Sequence, residues 1–108
     1  MPVLKLKSID PKKALTISEN LIDELQEIIQ CPRDYFNIEI PQSSFIMDGS
    51  FVEGPPMVDI IWFDRGQAVQ DKVAKVITKY VNSIGYLSVD VIFHVLEKSR
   101  YYENGEHF

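Results

Sequence analysis

Apolar and polar positions change their spacing along the chain, and each change marks an element. From Pro2 to Ser8 the residues alternate, with Leu4 and Leu6 on one side and Lys5 and Lys7 on the other. That is the period of a strand. Ser8-Ile9-Asp10-Pro11 reads as a helix start, Asp10 capping free N–H groups and Pro11 fitting the first turn. From there to about Gln30, apolar residues fall at Ala14, Ile17, Leu21, Ile22, Leu25, Ile28 and Ile29, while Asp23, Glu24 and Glu27 lie off that stripe. The spacing predicts one amphipathic helix. Cys31-Pro32-Arg33-Asp34 ends it, because the residue before a proline is pushed out of the α region.

Phe36, Ile38 and Ile40 alternate with Asn37 and Glu39, a second strand that Pro41 interrupts, as at an edge or a bulge. Ser44 to Met47 is extended, Asp48-Gly49 is a turn signal, and Phe51-Val52-Glu53 reads as a short return strand before the rigid Gly54-Pro55-Pro56. Met57 to Phe63 is mostly apolar and predicts a central strand buried on both faces. After the turn Asp64-Arg65-Gly66, Val69, Val73, Val76, Ile77 and Tyr80 stripe a second helix from Gln67 to about Asn82, ended by Gly85. Ser88 to Leu96 is the last long strand, with Val89, Val91, Phe93 and Val95 on one face and Asp90, Ile92 and His94 on the other. The tail from Glu97 to Phe108 is polar and aromatic.

The order is βαβ written twice, with an irregular hairpin between the copies. It predicts an α+β fold in which two βαβ units form a four-stranded mixed sheet. Right-handed crossovers place both helices on one face. The opposite face is left open, which points to cover by another copy of the chain.

Composition narrows the function. A chain of 108 residues reads as a single domain spanning 1–108. Eleven basic against sixteen acidic residues leave a net charge of −5. Nucleic acid and anionic membrane surfaces select basic patches, so neither is an expected partner. Cys31 is the only cysteine, which excludes an internal disulfide and a thiolate zinc cluster. No apolar run approaches the length of a membrane span, and the alternating start is not a signal-peptide layout. The expected location is the cytoplasm.

Pro2 directly follows Met1. Loss of Met1 would leave a free secondary amine on a rigid ring. An exposed α-amino group titrates at about 7.7–8.0, and burial of its cationic form lowers that value. Such an amine suits proton transfer near neutral pH. The alternative is a proline simply tolerated at the first position of a strand.

Together, the Met1-Pro2 start, the βαβ-βαβ order and three segments carry a family resemblance. The segments are Cys31-Pro32-Arg33-Asp34, Trp62-Phe63-Asp64-Arg65-Gly66-Gln67 and Tyr101-Tyr102-Glu103-Asn104-Gly105-Glu106-His107-Phe108. Over its whole length the chain resembles the tautomerase superfamily, which includes macrophage migration inhibitory factor and 4-oxalocrotonate tautomerase. Within it, the chain is most similar to a bacterial branch, a domain of unknown function. The resemblance implies a homotrimer in which edge strands pair with neighbouring subunits. It implies an acid–base role for Pro2 in keto–enol tautomerisation of a small carbonyl or carboxylate substrate, with no metal or organic cofactor. The chain departs from the macrophage-factor pattern at two helper positions. Gln30-Cys31-Pro32 holds no lysine, and Asp90 stands where a tyrosine is usual. An aspartate beside the proline would favour its cationic form and suit a general acid. The alternative is a non-catalytic binding or structural module on the same fold.

Four further residues are candidates for substrate binding: Arg65, Arg33, Asp90 and Tyr101. Arg65, at a helix N-terminus among backbone amides, suits a carboxylate; the competing reading of Asp64-Arg65-Gly66 is a capping aspartate with a turn glycine. Arg33 is the nearest cation to Cys31-Pro32, with a solvated loop arginine as the alternative. Tyr101 reads as a pocket wall or a subunit contact. Asp90 and His94 share a strand face about 13 Å apart, too far for a dyad within one chain. Two distant histidines carry no metal signature.

Overall fold

The computed structural model describes residues 2–108. Its elements run in the expected order: β1 (Val3–Lys7), α1 (Pro11–Ile29), β2 (Asn37–Glu39), β3 (Phe45–Met47), β4 (Ser50–Val52), β5 (Met57–Trp62), α2 (Gln67–Ser83), β6 (Asp90–Val95), β7 (Tyr102–Glu103) and β8 (Glu106–His107). Asp10 caps α1 by accepting from the Lys12 N–H at 2.9 Å, and Pro11 occupies the first turn. Gln30 stops the helix in the left-handed region, φ 57°.

Four strands form one mixed sheet in the order β2-β1-β5-β6. β1 runs parallel to β2 and β5 parallel to β6; β1 and β5 meet antiparallel. Each parallel pair encloses one helix, so the sheet is two βαβ units joined along β1 and β5. Leu4 and Leu6 of β1 and Val58, Ile60 and Trp62 of β5 are buried with Leu21 and Leu25 of α1 and Val73, Ile77 and Val81 of α2. Both helices therefore cover the same sheet face. A side chain of this kind gains about 1.5–3 kcal/mol on full burial, which fixes the alternation of each strand. The two helices are also braced at their outer surface. Glu24 accepts from Lys79 Nζ and from the Tyr80 hydroxyl, both at 2.8 Å; these hydrogen bonds, that of Lys79 first, hold the Glu24 carboxyl below its ordinary range.

The two short hairpins turn on Asp48-Gly49 and Asn104-Gly105, each pair with positive φ at both residues. This is the geometry that matches strand twist in a two-residue hairpin. The β7–β8 hairpin lies in the tail, to which the sequence reading assigned no element. Asn-Gly was the local signal for it, in a segment without apolar alternation.

The open sheet face holds a surprise. β5 was expected to be mostly apolar and buried on both faces; on the open side the buried residue is charged, Asp59, only 6% exposed. Lys7 of β1 forms an ion pair with its carboxylate, and His94 Nε2 lies 3.6 Å from the other oxygen. Burial alone would raise the Asp59 carboxyl. The hydrogen bond and charge of Lys7, followed by those of His94, outweigh it and leave the carboxyl below its ordinary value.

Two predictions follow from the packing. A folded carboxyl held below its unfolded value of about 3.9 contributes stability that is present above that pH and is lost as pH falls through the lowered folded value. Urea denaturation of the wild-type chain should therefore show an acid-dependent loss below about pH 4, and Asp59→Asn should flatten that slope. The second concerns Gly54. A Cβ there would fall inside contact distance of the Phe45 ring and the Ser8 hydroxyl. Gly54→Ala should cost about 1–3 kcal/mol through overpacking, read as a lower denaturation midpoint with an unchanged m-value.

Candidate functional site

Pro2 is fully buried. The antiparallel register explains why. Val3 pairs with Ile61 and Leu4 with Ile60, so the next position along β1 brings Pro2 opposite Trp62. Even-numbered residues of β1 face the helices, and Pro2 follows them into the core. Its carbonyl accepts from the Asn37 N–H at 3.1 Å, which anchors the start of β2 to the start of β1. Met1 lies outside the described residues.

The chain leaving β5 wraps this end of the sheet. Asp64 accepts from the Gly66 N–H at 2.8 Å, and Gly66 takes φ 87° at the N-terminus of α2. Asp64 thus closes the turn and leaves the helix end without a side-chain cap. The turn folds Arg65 back over β5. Its Nη1 donates to the Phe63 carbonyl at 2.5 Å, and its guanidinium carbon lies 5.4 Å from the centre of the Trp62 ring. Arg65 has no carboxylate partner among the described residues. Trp62 is fully buried, packs against Phe93 at 4.9 Å, and its indole N–H has no hydrogen-bond partner.

Cys31 lies close enough to Arg65 to feel its charge. Burial pushes the Cys31 thiol up, and Arg65 offsets only part of that rise. A raised thiol carries little thiolate at neutral pH and is a poor nucleophile. Phe63 forms an aromatic wall with Tyr101 at 5.5 Å and Phe108 at 5.7 Å, while Tyr101 and Phe108 lie 4.7 Å apart. The C-terminal hairpin is held in place by the Phe108 N–H, which donates to the Tyr101 carbonyl at 3.0 Å.

The five candidates from the sequence separate into two groups. Pro2, Arg65 and Tyr101 all lie at the end of the sheet where β5 and β6 finish. Arg33 reaches away, back along α1, where Nη1 meets Asp23 at 2.5 Å and Nη2 the Glu19 carbonyl at 3.3 Å. Asp90 is at the opposite end, paired with Met57 while Trp62 neighbours Pro2. Five residues of strand separate those rows, about 17 Å. The expectation of an aspartate beside the proline therefore fails within one chain, because β6 runs parallel to β5 and starts at the far edge. Trp62, Lys7 and Asp59 were not singled out from the sequence. Trp62 and Asp59 fell within the mostly apolar run of β5, and Lys7 on the polar side of β1. Among the described residues, no three His, Cys, Asp or Glu gather to hold a metal ion, and no helix is long and apolar enough to cross a membrane.

Comparison with known proteins bears on the family and the fold. No curated protein sequence matches the chain. The crystal structure of a DUF1904 domain from Sebaldella termitidis superposes with a TM-score of 0.90 at 32% identity, covering 100% of both chains. An F6 fused 4-OT, described as a wild-type asymmetric trimer, matches with a TM-score of 0.79 at 11% identity over 97% of this chain and 94% of its own. A macrophage migration inhibitory factor-like protein from Entamoeba histolytica matches with a TM-score of 0.69 at 16% identity over 99% and 98%. The chain belongs to the family described as Domain of unknown function (DUF1904), whose model matches residues 1–107, and its fold is the tautomerase fold of the 4-OT and macrophage-factor-like proteins.

Proposed function

We propose that the chain, once Met1 is removed, transfers protons on a small carbonyl substrate bearing a carboxylate, with Pro2 as the acid–base residue. The observation that carries this reading is the burial of Pro2 opposite Trp62, over whose ring lies Arg65, an arginine without a carboxylate partner among the described residues. Burial disfavours the charged amine and lowers its pKa from about 7.7–8.0, into the range useful to a general base. The Pro2 nitrogen takes the proton from the carbon next to the carbonyl, and the electron pair moves to the carbonyl oxygen. The same proton then passes to that oxygen, giving the enol. Arg65 anchors the substrate carboxylate through its planar fork, and Tyr101 walls the site. Arg33, occupied by Asp23, has a structural role in this reading.

The working form is a homotrimer. The β3–β4 hairpin presents Ile46 at 73% and Phe51 at 82% exposure, more apolar surface than a small arm holds in water without a partner. The trimeric description of the fused 4-OT supports the same number of sheets around an axis. In such a trimer Asp90 serves a pocket only as a residue from another subunit.

A second reading, a non-catalytic module of the same fold, is favoured by one observation. Within a single chain Arg65 is the one charged candidate that accompanies Pro2 among the described residues, since Arg33 and Asp90 point elsewhere. Intact-mass measurement of natively expressed protein separates the two, because a retained Met1 makes the Pro2 nitrogen an amide with no base chemistry.

The enzyme reading predicts phenylpyruvate tautomerase activity in protein confirmed to lack Met1. Pro2→Ala should lower kcat/KM by about 10²–10⁴-fold, and Arg65→Gln should raise KM about tenfold or more. Turnover that survives Pro2→Ala unchanged sinks it. Sedimentation should give a trimer that Phe51→Asp dissociates; a stable wild-type monomer at micromolar concentration contradicts the assembly.

A further inference from the structure

The end of the sheet away from Pro2 holds a concave site. The chain leaves β1 through Ser8, whose φ of 59° is left-handed. Beside it, between the start of α1 and the base of the β3–β4 hairpin, lies a cavity of about 650 Å³. That volume is in the range of small-molecule sites. Ser8, Lys13, Ser43, Ser44 and Tyr86 line it with hydrogen-bond donors, and Phe45 and Phe51 contribute apolar wall.

These donors are uncommitted. The Ser8 hydroxyl is buried without a partner among the described residues. It is packed under Gly54, where the missing Cβ lets the Phe45 ring close in as well. The Tyr86 oxygen accepts from the Asp10 N–H at 2.8 Å, which leaves its own proton free to donate. The Lys13 ammonium sits 5.3 Å from the centre of the Tyr86 ring, with no carboxylate partner among the described residues. Ser43 and Ser44 make no side-chain hydrogen bond among those residues. Four hydroxyls and one ammonium call for anionic oxygen. Glu53, the one carboxylate lining the cavity, disfavours a polyanion. The aromatic wall calls for an apolar body.

We propose that this cavity binds a small organic monocarboxylate, its carboxylate on Lys13 and the surrounding hydroxyls and its apolar body against Phe45. The site shares no residue with the Pro2 end and stands whether or not that end is catalytic.

Titration of the full chain with phenylacetate, followed by ¹H–¹⁵N correlation spectra, tests it. Saturable shifts are expected at the amides of Ser8, Gly54 and Tyr86, with the Trp62 indole signal unmoved. Lys13→Gln, an exposed change, should weaken binding at least tenfold, whereas Pro2→Ala and Arg65→Gln should leave it intact. Acetate and benzyl alcohol, each half of the probe, should bind more weakly than phenylacetate. Absence of saturable shifts overturns the proposal, as do shifts confined to the Trp62 indole or an affinity unchanged by Lys13→Gln. Cover of Phe51 by a second copy that excludes phenylacetate overturns it equally.

Discussion

The antiparallel pairing of β1 with β5 is the constraint on which the rest depends. It joins the two βαβ units into one sheet, and its register sets what lies opposite what. With Val3 on Ile61 and Leu4 on Ile60, Pro2 must lie opposite Trp62, beneath the turn that carries Arg65. A slip of one residue would turn Leu4 and Leu6 away from the helices and bring Lys5 and Lys7 inward. The burial of Leu4, Leu6, Val58 and Ile60 against α1 and α2 excludes that slip. The proposed acid–base residue is thus positioned by core packing several residues away.

The same register organises the uncovered face. Lys7 and His94 reach Asp59 from the strands on either side of β5. A carboxylate this buried needs partners, since desolvation of an unpaired charge is costly. Lys7 and His94 supply them from opposite edges, which ties β1 and β6 to the central strand on the side the helices do not reach. The apolar arm formed by β3 and β4 and the polar centre of this face have different characters. The arm carries exposed Ile46 and Phe51; the centre is a satisfied ionic cluster. Association through the arm would leave that cluster in place.

Much of the proposed site was legible along the chain. Pro2, Arg65 and Tyr101 were each suggested by local chemistry or by resemblance, and the fold brings all three to one end. Arg33 and Arg65 were both candidates as sequence: both follow a strand or helix end and both lie near a turn. The side-chain environment separates them. Arg33 finds Asp23 ten residues back on α1, whereas among the described residues Arg65 finds only a carbonyl and an aromatic ring. Asp90 was matched to the usual tyrosine by its place along the chain. A count along the chain holds no information on which end of a strand faces which.

What the sequence by itself determined is what period and punctuation encode. These are the two strand–helix–strand units, the caps at Asp10 and Pro11, the Asp48-Gly49 turn and the choice of one buried face for each helix. All are local, because a side chain's direction repeats every 2 residues in a strand and every 3.6 in a helix. Tertiary structure decided the rest. It set the strand order β2-β1-β5-β6, the antiparallel seam, the burial of Asp59 and the distance from Asp90 to Pro2. Those depend on pairings between residues far apart in the chain, where the energy of contact belongs to the pair and is written in neither segment alone.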